Sequence, residues 1–145
     1  MSRRVVVLSG PNLNLLGQRD PEIYGTATLA MHEATVRDIL EPAGITVVHI
    51  QSNAESVLIE AIHDARGKVD AIIINPGALT HSSWALRDAL DAFDGFAIEV
   101  HISNPAAREP FRHVSTVAAV VDGSIACFGA FGSEFAAYSV LRHLS

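Results

Sequence analysis

Arg19 and Tyr24 lie five residues apart in one polar segment, and His81, His101 and His113 follow later in the chain. These are side chains that can move protons. A free tyrosine titrates near pH ~10, so at neutral pH it is a phenol. A guanidinium beside it favours the phenolate and turns it into a general base. Arg108 and Arg112 are four residues apart, which on a helix would place both on one face. Each residue also has a plainer reading. Tyr24 suits packing, His81 suits a helix cap, and the two arginines suit an exposed helix paired with Glu109 or Glu134.

Metal and covalent chemistry find little support. The histidines show no helical two-ligand spacing, and Cys127 is the only cysteine, which also rules out an intramolecular disulfide. Lys68 is the only lysine; it follows Gly67 at a helix end and reads as solvated, so a Schiff-base mechanism has no good candidate. Neither a Walker loop nor a dinucleotide glycine pattern follows the first strand.

The elements that must position these groups can be read from the apolar pattern. Strands are expected at 3–8, 45–50, 69–74 and 95–100, with a fifth from 117–121 and 124–128. Helices are expected at 29–40 behind Thr28, from 53 or 54 to 66, from 82 or 83 to 93, at 105–111 and at 131–144. Residues 9–27 form a long loop suited to a lid. Alternating strands and helices in 145 residues predict one α/β domain spanning 1–145, a flavodoxin-like, doubly wound sheet of five parallel strands.

Four strands run into polar, turn-forming sequence: Ser9-Gly10-Pro11-Asn12, Gln51-Ser52-Asn53, Asn75-Pro76-Gly77 and His101-Ile102-Ser103-Asn104. Such residues fill turns in any protein. Four such ends on one sheet edge, with helix N-termini that favour anions, predict a binding site there. The net charge of −6 argues against a nucleic-acid partner, and the apolar runs are too short for a membrane span. No signal-peptide pattern follows Arg3 and Arg4, so the expected location is the cytoplasm. Cys127 is expected as a buried core thiol.

The segment from Ser9 to Gly25, SGPNLNLLGQRDPEIYG, closely resembles the opening signature of type II 3-dehydroquinate dehydratases. Gln51 to Glu55, Ile73 to His81, Glu99 to Asn104, Arg108-Glu109 and Phe111-Arg112 resemble that family's later segments, in order. The resemblance implies dehydration of 3-dehydroquinate to 3-dehydroshikimate, without metal or cofactor, in a dodecamer built as a tetramer of trimers. The reaction serves either aromatic biosynthesis or quinate breakdown. By the resemblance, Tyr24 is the base, Arg19 activates it with help from Arg108, and Asn12 steadies an enolate through a bound water. His101 is the acid and Glu99 holds its ring. Ile102, Ser103, Asn75, His81 and Arg112 bind the substrate, and Asp88 reaches a neighbouring subunit's site.

The chain departs from the family's pattern at Ser56, Pro105, Pro110 and the segment 126–133. A flavin carrier or receiver domain of this fold would need a phosphate-cradling loop or an acidic cluster with a late lysine, and neither is evident. A catalytically silent scaffold would not need Tyr24, Arg19 and His101 together.

Overall fold

Short β-branched runs closed by Gly, Pro and Asn make the strands. The computed structural model describes residues 2–145. Its strands are β1 (Arg3–Ser9), β2 (Ile45–Gln51), β3 (Ala71–Asn75), β4 (Phe96–Val100) and β5 (Gly123–Ile125). They form one sheet in the order β2-β1-β3-β4-β5, every pairing parallel. This is the flavodoxin-like arrangement expected from the alternating pattern. The helices are α1 (Pro21–Tyr24), α2 (Leu29–Leu40), α3 (Glu55–Ala65), α4 (Trp84–Asp91) and α5 (Phe131–Leu144).

Side chains alternate across the sheet and build two cores. Val5, Val7, Val47, Ile73 and Ile98 pack against Val36 and Leu40 of α2 and Ala136 and Val140 of α5. Val6, Leu8, Ile72, Ile74 and Ala97 pack against Leu58 and Ile62 of α3 and Leu86 and Leu90 of α4. Thr28 caps α2 by accepting from the Met31 N–H, and Ser83 caps α4 by accepting from the Leu86 N–H. No helix among the described residues is long and apolar enough to cross a membrane.

Four expectations need correction. The loop 9–27 carries a 3-10 turn at Leu13–Leu15 as well as α1. Residues 105–111 do not form one helix but two 3-10 turns, Pro105–Ala107 and Pro110–His113. Pro110 removes an N–H and holds Glu109 extended at φ −60°, ψ 148°. The fifth strand is only three residues long. Val117 and Ala118 give their N–H groups to the Ser115 hydroxyl and start a turn instead. Cys127 is exposed, with φ of +80°, because its N–H bonds the Ser103 carbonyl rather than a sheet neighbour.

His32 on α2 is 7% exposed; its Nδ1 lies 2.9 Å from Ser133 Oγ, and Nε2 has no partner among the described residues. Burial holds its pKa below the ordinary 6.5, so the fold keeps the ring neutral. That contribution is complete above 6.5 and is lost as pH falls through the lower folded-state value. The Tm advantage of the wild type over His32→Gln therefore shrinks between neutral pH and about pH 5, as read by parallel thermal melts.

Candidate active site

The carboxyl ends of β1, β3 and β4 surround a cavity of about 120 Å3. Asn12, Arg19, Tyr24, Asn75, His81, His101, Ile102, Ser103, Arg108 and Arg112 all line it, with Pro11, Leu13, Gly77, Ala78 and Pro105 completing the wall. Three arginines and two histidines face this space, and no carboxylate lines it among the described residues. A chain of net charge −6 thus presents a locally cationic site suited to a small anion. A shallower groove of about 910 Å3 lies at the opposite edge of the sheet. Its charged groups largely satisfy one another or the backbone: Arg3 pairs with Asp70, and Asp94 accepts from the Gly67 N–H.

Backbone close approach shapes one wall. Gly10 donates to the Asn75 carbonyl at 2.8 Å, and a Cβ on Gly10 would stand 2.4 Å from the Pro76 carbonyl oxygen. Gly10→Ala is expected to cost about 1–3 kcal/mol, measured by urea unfolding, because only backbone could move aside. The end of β2 braces the site without lining it. Asn53 Oδ1 accepts the Asn12 N–H at 3.0 Å and holds Asn12 in a left-handed conformation, φ 69°. Asn75 Oδ1 accepts from the Gly77 N–H, which leaves the Asn75 amide donors for a ligand.

Arg19 and Tyr24 meet. Arg19 Nη2 donates to Tyr24 Oη at 3.0 Å, and the guanidinium carbon sits 4.2 Å from the ring centre. Arg108 approaches the same ring at 5.2 Å and donates to Ser103 Oγ at 3.3 Å. Its buried Nε has no partner among the described residues. Although no single helix carries both, Arg108 and Arg112 reach the cavity from adjacent turns. Arg112 also pairs with Glu109.

Across the cavity, His101 Nε2 bonds Glu99 Oε2 at 2.6 Å, so Nδ1 is the ring nitrogen left for a ligand. Glu99 does not line the cavity; it is 1% exposed behind His101. Burial pushes its carboxyl up. Hydrogen bonds from His101 and Thr80, the charge of His101 and a bond from Ser115 outweigh burial and hold it below 4.5. Thr80 lies within the segment Ile73 to His81 but has no role assigned from sequence, and Ser115 gives no sequence signal, since an isolated hydroxyl residue in a turn carries no pattern. The His81 ring lies 6.4 Å from that of His101, and its Nδ1 bonds the Val114 carbonyl at 2.7 Å.

Ile102 and Ser103 form the turn after β4. Their carbonyls accept from the Gly129 and Cys127 N–H groups at 3.1 and 3.0 Å, so the atypical 126–133 segment holds this turn. Their own N–H groups have no acceptor among the described residues. Two of the expected residues stand apart. Asp88 is exposed on α4, outside its own chain's cavity, and His113 bonds the Arg108 carbonyl. Among the described residues, no group of three or more His, Cys, Asp or Glu side chains is gathered as a metal site.

A flavodoxin-like sheet with a cationic, proton-handling cavity at its carboxyl edge defines a small-molecule enzyme. Residues 3–141 match the family model for class II dehydroquinases, and the chain belongs to that family. It is 55% identical over 141 residues to a 3-dehydroquinate dehydratase of Vibrio cholerae, covering 97% of this chain and 94% of that one. It is 49% identical over 144 residues to a catabolic 3-dehydroquinase of Phaeosphaeria nodorum, covering 99% and 95%. The solved type II dehydroquinase of Propionibacterium acnes superposes with a TM-score of 0.92 at 42% identity, covering 98% of each chain.

Proposed function

We propose that this chain is a hydro-lyase that converts 3-dehydroquinate to 3-dehydroshikimate through an enolate. The observation that carries the reading is the pairing of two proton-transfer units across one small cavity. Arg19 donates to Tyr24 on one side, and Glu99 backs His101 on the other.

Arg19 holds the Tyr24 oxygen by its hydrogen bond, and the nearby Arg108 adds positive charge. The phenolate oxygen takes a proton from C2, next to the ketone, and the electron pair moves onto the ketone oxygen as an enolate. Asn12 stabilises that oxygen through a water. The enolate then collapses, the bond from C1 to its hydroxyl breaks, and His101 Nδ1 gives the departing oxygen its proton. Water leaves, and the new C1–C2 double bond is conjugated with the ketone. Glu99 steadies the imidazolium this donation requires. The N–H groups of Ile102 and Ser103, the Ser103 hydroxyl, the Asn75 amide, His81 and Arg112 hold the carboxylate and ring hydroxyls. Closure of the 9–27 segment would exclude water and strengthen each of these interactions.

The proposal extends to a cytoplasmic dodecamer in which Asp88 supports a neighbouring subunit's site. Exposed Trp84 on α4 and Phe131, Phe135 and Tyr138 on α5 support burial of these faces in an assembly. Light scattering checks the mass. The activity is tested by incubating the protein with 3-dehydroquinate and identifying the product by NMR. Formation of 3-dehydroshikimate is expected; substrate recovered unchanged from a folded protein overturns the proposal.

A further inference from the structure

The Glu99 carboxylate sits in a cage of hydrogen-bond donors. Thr80 Oγ1 bonds Oε2. Ser115 Oγ lies 2.9 Å from Oε1 and 2.8 Å from Oε2, and Ser124 Oγ lies 3.4 Å from Oε1. His101 Nε2 takes the remaining approach. A hydroxyl has one proton and two lone pairs. Ser115 Oγ already accepts from the Val117 N–H at 3.3 Å and the Ala118 N–H at 3.0 Å, so its proton is free to point at Glu99. The Thr80 and Ser115 oxygens lie 3.0 Å apart, and with the Ser115 lone pairs taken by two amides the Thr80 proton goes to the carboxylate. A protonated Glu99 would have to turn one of these donors into an acceptor, so the cage favours the carboxylate.

We propose that Thr80 and Ser115 are positioning residues for the acid step: they hold Glu99 ionised and aligned on His101 Nε2, which commits His101 Nδ1 to the substrate. This rests on the dehydratase reading, and neither hydroxyl residue lines the cavity. Ser115 also ties the acid to the fold. The two amides it accepts from begin the turn that replaces the expected strand at 117–121, so their dipoles strengthen the hydroxyl as a donor.

His101 is the titratable group in direct contact with the carboxylate. On the neighbouring elements, His81 stacks beyond His101, Arg87 of α4 donates to the Thr116 carbonyl, and Glu55 of α3 accepts from Ser83. Asp122, before β5, accepts the Ala97 N–H. Each of these is engaged elsewhere, so the charge state of Glu99 is governed by the cage and His101. Burial alone would raise the carboxyl; losing a donor lets that effect gain.

The test compares wild type, Ser115→Ala, Ser115→Thr and Thr80→Val in steady-state dehydration of 3-dehydroquinate from about pH 5 to pH 9. Ser115→Ala and Thr80→Val are expected to lower kcat about tenfold at neutral pH while KM stays within about twofold. The acid limb of their kcat profiles should move toward neutral pH. Ser115→Thr, which keeps the hydroxyl, should restore both. Unchanged kcat profiles in folded Ser115→Ala and Thr80→Val overturn the proposal. So does an equal loss of kcat in Ser115→Thr, or a loss that tracks falling Tm with no movement of the acid limb. Absence of turnover in the wild type instead overturns the dehydratase reading on which it stands.

Discussion

Replacing Tyr24 by phenylalanine leaves binding of 3-dehydroquinate close to that of the wild type and lowers kcat by about a thousandfold. The ring centre lies 4.2 and 5.2 Å from the guanidinium carbons of Arg19 and Arg108. Phenylalanine preserves that shape and its stacking. What disappears is Oη, the atom that receives the Arg19 hydrogen bond and, in the proposed reaction, the C2 proton. His101 is aligned by Glu99 on the opposite side, and His81 donates to the Val114 carbonyl through Nδ1. Calorimetric titration and steady-state rates on one preparation separate the two effects. A loss of affinity equal to the loss of rate would show that the hydroxyl binds substrate rather than moving its proton.

Replacing His101 by alanine lowers kcat by about a hundredfold to ten-thousandfold for a different reason. The enolate still forms, but the hydroxyl on C1 has no acid and leaves poorly. The substitution also strips the buried Glu99 of its one titratable partner among the described residues, so some stability is lost as well. The two variants divide the reaction. In deuterated water, His101→Ala should still exchange the C2 proton of the substrate, whereas Tyr24→Phe should not. Proton NMR of the recovered substrate reads both. Exchange lost equally in both variants would contradict separate base and acid roles.

The parts of the site legible from sequence were those carried by continuous motifs at strand ends. Asn75, His101, Ile102 and Ser103 follow directly from β3 and β4, whose register fixes where they emerge. Tyr24 and Arg19 were visible as a close pair, but their contact depends on the folding of α1 within the first loop. Apolar character alone was misleading at 117–121, where a serine hydroxyl competes for the backbone and Val117 is buried in a turn. The exposure of Cys127 was equally hidden, because it follows from a hydrogen bond to the cavity-lining turn after β4. The hydroxyls around Glu99 come from three separate stretches of chain. Only folding brings Thr80, Ser115 and Ser124 onto one carboxylate.

The most direct test of the central claim is to mix the purified protein with 3-dehydroquinate and follow the ultraviolet absorbance of the conjugated enone. A rapid rise is expected with the wild type and none above background with Tyr24→Phe. No rise with the folded wild type, or an equal rise with both proteins, would contradict this mechanism.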